Sequence, residues 1–173
     1  SASDNVPAQL VYSLGAEEVD APEGAFVVYQ GHHGDKGAAR ADVILPGAAY
    51  TEKTGTYVNT EGRAQMAIAS MGPVGQAKED WRILRALSEF AGVPLSYNTH
   101  QQVHERLAQV APHFGKLSEV EATLWMNGAT YANEKGKKTN ASTPLKSSVE
   151  NFFMTDIISR TSATMAKCTE ARA

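Results

Sequence analysis

Three short apolar runs lie close together near the start of the chain, and they constrain the fold most. They are Gln9 to Gly15, Ala25 to Gln30 and Asp42 to Pro46. Each is rich in Val, Ile, Leu or Tyr and shows no apolar–polar alternation. Alternation marks a strand with one wet face, whereas a continuous run marks a strand covered on both. The three runs therefore predict a parallel sheet between two layers. Glu17 to Gly24 is acidic, contains Pro22 and reads as a loop. Pro46 stops the third run, because proline cannot donate to a ladder.

Beyond Pro46 the period changes. Thr56 to Asn59 and Arg63 to Ala69 flank Thr60-Glu61-Gly62. This predicts a hairpin with Gly62 at a positive φ, its apolar contacts supplied by Tyr57, Val58, Met66 and Ile68. Met71 to Gly75 reads as a loop. Trp81, Leu84, Leu87 and Ala91 then recur at three- and four-residue spacing, with Ile83 and Phe90 beside them. They predict a helix from Glu79 to about Ala91, closed by Gly92 and Pro94. Thr99 is placed to cap a second helix carrying Val103, Leu107 and Val110 on one face and ended by Pro112.

The pattern then weakens. Leu117 to Trp125 reads equally as a short helix or a strand. Residues 134–148, with Lys135, Gly136, Lys137, Lys138, Asn140 and Pro144, read as a polar, mobile linker. The aromatic and aliphatic tail after it, from Asn151 to Cys168, needs a surface on which to bury itself. Three parts follow: an α/β portion over residues 1–112, an irregular segment and linker over 113–148, and a docking tail over 149–173.

Composition removes several functions. The 173 residues are 42% hydrophobic and 20% charged, with a formal net charge of -3. No basic stripe supports nucleic-acid binding, and no run of eighteen apolar residues supports a membrane span. The first residues have neither the apolar core nor the Arg enrichment of a targeting peptide, and no initiator Met. A processed protein, a split-gene product and a piece of a longer protein are all compatible with that start. The single cysteine, Cys168, excludes an intrachain disulfide, and a conventional iron–sulfur cluster requires a set of thiolates.

The remaining polar candidates read as structural. The loop Gly31-His-His-Gly-Asp-Lys-Gly37 follows a strand, where parallel sheets bind ligands. It matches neither G-x-G-x-x-G nor a P-loop; a turn with Asp35 capping a short helix is the better reading. His32 and His33 are adjacent, so in an extended loop they point apart and cannot readily share a metal. His100 and His104 share a helix face, but without the Glu of H-E-x-x-H, and read as a solvated face. Glu52, Lys53, Glu61 and Arg63 read as an ion-pair and hydrogen-bond lattice that holds the hairpin against the sheet, rather than as a catalytic acid or base.

One resemblance reaches further. Ala41-Asp-Val-Ile-Leu-Pro46 followed by Thr51-Glu-Lys-Thr-Gly-Thr-Tyr-Val-Asn-Thr-Glu-Gly-Arg-Ala-Gln65 resembles the molybdopterin oxidoreductase superfamily. Tyr29 to Asp35, Glu79 to Glu89 and the tail Met154 to Cys168 are similar, more narrowly, to the large iron–sulfur subunits of respiratory complex I. The stretch from Pro94 to Val149 matches only loosely.

This resemblance implies a partial Rossmann-like three-layer α/β domain of molybdopterin-oxidoreductase type. That fold has a parallel sheet with flanking helices, plus a hairpin and an extended C-terminal tail. It implies a scaffold portion of NADH:ubiquinone oxidoreductase, with no catalytic, cofactor-binding or metal-ligating residue in this chain. Iron–sulfur clusters and FMN would lie elsewhere in the complex. The expected partners are the rest of the same subunit and other matrix-arm subunits, on the matrix side of the mitochondrial inner membrane. The rest of the subunit would extend the sheet, and Phe152 to Met165 would bury against protein outside the local core. The alternatives are the terminal part of an active molybdopterin enzyme, with the Gly31–Gly37 loop or the Asn59–Arg63 turn touching the cofactor, and a free-standing small-molecule-binding domain.

Overall fold

The computed structural model describes residues 8–18, 20–120, 147 and 149–172. Strands β1 (Leu10–Leu14), β2 (Phe26–Gly31) and β3 (Val43–Pro46) form one parallel sheet in the order β1-β2-β3. Leu10 pairs with Phe26 and Leu14 with Gln30; Val28 pairs with Val43 and Gly31 with Pro46. All three predicted strands are present, and parallel. Helix α1 (Lys36–Arg40) forms the crossover between β2 and β3.

The hairpin is also present. β4 (Gly55–Val58) and β5 (Ala64–Ala67) pair antiparallel, Gly55 opposite Ala67 and Val58 opposite Ala64. Gly62 adopts φ +86, as the turn requires. Asn59 Oδ1 fixes that turn by accepting from the Glu61 and Arg63 amides at 3.1 and 3.0 Å. Helix α2 (Asp80–Phe90) starts one residue later than expected and ends at Ala91 with Gly92 at φ +73. In α3 (His100–Val110) the Thr99 hydroxyl accepts from the Gln102 amide at 3.2 Å, the cap anticipated from sequence. Pro112 opens a 3-10 turn, Pro112–Gly115. Residues 117–120 form neither helix nor strand, and the rest of the segment to Trp125 lies outside the described residues. So does the linker expected over 134–148, apart from Ser147.

Burial departs from expectation. Among the described residues the buried apolar side chains are Tyr29, Ala48 and Ala64. The sheet was expected to be covered on both faces, yet Leu10, Leu14, Phe26, Val43 and Ile44 are exposed. A five-residue crossover helix is too short to cover three strands. Tyr57, Val58, Met66 and Ile68 do not bury the hairpin, and Ile68 is 78% exposed. On α2, Leu87 of the predicted apolar face lies at the surface, and Phe90 beside that face is 91% exposed. Val110 of α3 is likewise outside.

The tail folds into α4 (Ile157–Arg160) and α5 (Ala163–Glu170). Asp156 and Ser159 form a reciprocal capping box on α4, and Ser162 caps α5. The tail was expected to bury against protein outside the local core. Phe152 is 81% exposed, but Arg160 reaches the chain's own Asp35.

Candidate functional site at the carboxyl edge of the sheet

The carboxyl ends of the parallel strands, where such a sheet takes its ligands, gather a polar cluster that includes His32, His33, Asp35 and Lys53 of the groups singled out in the sequence. Gln30 is fully buried at the end of β2. Its Oε1 accepts from the Tyr12 hydroxyl on β1. Its Nε2 donates to Asp80 Oδ1 at 2.8 Å. Asp80 Oδ2 accepts from Lys53 Nζ at 2.5 Å. One polar chain thus joins two strands, the first turn of α2 and the loop before the hairpin. A carboxylate there also suits the positive end of the α2 dipole. Burial, then the Asp80 charge, raises the Tyr12 phenol above its ordinary pKa.

Tyr29 makes a second centre. Its hydroxyl donates to the buried Glu17 carboxylate, and the His33 carbonyl lies 3.1 Å away. Burial first, then the hydrogen bond and charge of Glu17, push the phenol well above its ordinary range. Glu17 Oε2 is buried without a hydrogen-bond partner.

The His32 and His33 rings do not point apart. The chain bends at these residues, the Nδ1 atoms lie 2.5 Å apart and the rings meet edge to face. Such a contact needs one ring protonated at Nδ1 and the other bare. Asp35 occupies the N-cap position of α1 but makes no cap bond; its carboxylate is bound by Arg160 at 2.6 Å. Sequence reasoning treated Asp35 as a local cap because its true partner lies far along the chain. It also missed Tyr12, Gln30 and Asp80. An acidic residue opening α2 was the one visible signal.

His100 and His104 do share a face of α3, and both are half-buried. With Val103 and Leu107 they line a cleft of about 330 Å³, opposite Lys53, Tyr57, Asp80 and Trp81. His104 Nδ1 is buried there without a partner. Among the described residues, no three His, Cys, Asp or Glu side chains are grouped to hold a metal ion. Around the hairpin, Glu52 accepts from the Ala49 amide at 3.0 Å, and Arg63 pairs with Glu61 at 3.1 Å and donates to the Ser118 carbonyl at 2.5 Å; these bonds fix the turn and its flanking loops and do not reach the parallel sheet. Cys168 is free and part-buried on α5.

A parallel α/β sheet with its polar cluster at the carboxyl edge defines the class. The chain belongs to the molybdopterin oxidoreductase family, whose model matches residues 1–90. Residues 119–168 match a second family model, which describes the C-terminal region of an NADH-ubiquinone oxidoreductase subunit. The chain is 49% identical over 95% of its length to the NADH-ubiquinone oxidoreductase 78 kDa subunit, mitochondrial, of Candida albicans. It is 48% identical, again over 95%, to the protein of the same name in Neurospora crassa. It is 46% identical over 93% to the NADH dehydrogenase [ubiquinone] iron-sulfur protein 1, mitochondrial, of Solanum tuberosum. It spans 24%, 23% and 22% of those three relatives, so most of each has no counterpart here.

The family name implies a pterin, and the glycine loop does not fit one. A Cβ on Gly31 would run into the Tyr29 side chain, and one on Gly37 would meet Glu17 Oε2 at 2.8 Å. Those glycines make room for the chain's own side chains.

Proposed function

We propose that this chain is a scaffold portion of the large iron–sulfur subunit of NADH:ubiquinone oxidoreductase. It would lie in the mitochondrial matrix arm, supporting electron transfer from NADH to ubiquinone without supplying a catalytic group. Iron–sulfur clusters and FMN are held elsewhere in the complex. Its partners are the rest of the same subunit and neighbouring matrix-arm subunits.

The observation that carries this reading is a mismatch between sequence coverage and burial. Nearly the whole chain aligns with subunits about four times its length, while its sheet faces, the end of α2 and the turn after it expose Leu10, Ile44, Phe90 and Val93. Large apolar side chains left in water along whole elements mark surfaces that other protein covers. The chain Tyr12–Gln30–Asp80–Lys53 is hydrogen-bonded within itself and ties elements of the fold together.

The test is purification of the tagged protein from a mild-detergent membrane extract. Flavin- and iron–sulfur-containing subunits should travel with it, together with NADH oxidation, and molybdenum should be absent. Elution alone, or with stoichiometric molybdenum, rejects the proposal; the second result would instead favour an active molybdopterin enzyme.

A further inference from the structure

We infer that the loop Gly31–Asp35 and Glu18 form a receptor for the chain's own C-terminal segment, with Arg160 as the anchor that latches the tail over the carboxyl edge of the sheet. Glu18 lies in the loop leaving β1, and Gly31 to Asp35 leave β2. Both loops leave the carboxyl ends of their strands. Arg160 Nε donates to Asp35 Oδ2 at 2.6 Å, and its Nη1 lies 3.5 Å from Glu18 Oε1. One guanidinium therefore joins two loops of the sheet to the tail.

The contact is built rather than incidental. The Arg160 and Asp35 side chains are only 20% and 17% exposed. Asp35 gives up the capping bond its position offers. A charge-assisted pair, shielded from water, is the stronger use of that carboxylate. On the tail side, the Asp156–Ser159 box fixes α4 so that Arg160 leaves it in a set direction. Asn151 Nδ2 donates to Thr169 Oγ1 at 3.1 Å, tying the start of the segment to α5. Asp35 lies within the match to the molybdopterin oxidoreductase model, and Arg160 within the match to the C-terminal NADH-ubiquinone oxidoreductase model. The pair is thus a seam between two sequence modules. It occupies the edge at which parallel α/β sheets otherwise hold ligands. Only side chains of this chain are involved, so the latch stands or falls apart from the complex I reading.

The test is hydrogen exchange by mass spectrometry on the protein in its native assembly. Arg160→Asp and Asp35→Arg should each speed exchange roughly tenfold in peptides covering both residues 31–40 and residues 151–172. The double variant D35R/R160D reverses the pair and should restore protection in both. Peptides of α2 serve as the folding control. Arg160→Lys, which keeps the charge but loses the fork, decides the case in which a reversal disrupts the fold. Coupled, partial loss in both segments supports the latch. Faster exchange in the tail alone, no change in either segment, or a failure of the swap to restore protection in a folded protein overturns it.

Discussion

Lys53 Nζ sits 2.5 Å from Asp80 Oδ2, and this contact ties the loop before the hairpin to the first turn of α2. Both side chains are about three-quarters buried, at 25% and 26% exposed. Asp80 also receives the buried Gln30 amide. Removing the carboxylate leaves an ammonium and an amide unpaired together. Asp80→Ala should cost about 2 kcal/mol, the range for hydrogen bonds to charged groups. That corresponds to roughly thirtyfold faster exchange of α2 amides where opening is local. Lys53→Met, which removes one partner and keeps the stem, should cost less. Equal protection in Asp80→Ala and the parent protein would mean that the cluster contributes nothing to holding α2.

The glycine loop makes a steric prediction. Tyr29 folds back across Gly31, so Gly31→Ala must displace a buried aromatic ring whose hydroxyl is committed to Glu17. Overpacking of this kind costs on the order of 1–3 kcal/mol. Gly34 has open space about its Cα, so Gly34→Ala should be tolerated. Thermal unfolding of the two variants in the assembled protein distinguishes them. The opposite order would mean that the loop does serve a ligand.

The elements were legible in the sequence wherever local chemistry decides them. Continuous apolar runs predicted β1, β2 and β3, Gly62 the hairpin turn, and the spacing from Trp81 to Ala91 helix α2. Burial was not legible. Leu87 falls at the correct helical period and Phe90 beside it, but no described element covers them, and periodicity names a face without naming what packs on it. The His32–His33 contact depends on a bend that two adjacent histidines do not announce. The Asp35–Arg160 pair spans 125 positions, so local propensity assigned Asp35 to the nearest helix.

His32 supplies a pH dependence. Burial first, then His33 and Lys53, hold its imidazole below 6.5, while Glu17 and Asp80 pull the other way. The folded protein thus prefers the neutral ring, and the unfolded chain binds the proton more readily. Stability contributed here is present above 6.5, falls as pH drops through that value, and levels off below the folded pKa. Protonating both rings would also end the Nδ1–Nδ1 hydrogen bond. Exchange in peptides covering residues 31–35, corrected for intrinsic rates, should rise between about pH 7.5 and 5.5. His32→Asn should flatten that profile. A profile equally steep in the variant would place the titration elsewhere.

The exposed α2 ridge predicts behaviour in isolation. Phe90 is 91% exposed, with Leu87 also at the surface, and Val93 just past the end of the helix is 73% exposed. Burying side chains of this kind is worth about 1.5–3 kcal/mol each, so a partner that covers the ridge gains several such terms. The chain expressed alone should self-associate, which sedimentation velocity would register as species larger than the monomer. Phe90→Glu lies on a surface position of a helix and should leave α2 intact. It should reduce self-association in isolation and, for the same reason, weaken retention in the native assembly. A wild-type chain that sediments as a well-folded monomer would contradict the idea that these faces are built to be covered. Full retention of Phe90→Glu would move the docking surface away from α2, to the open flanks of β1 and β3.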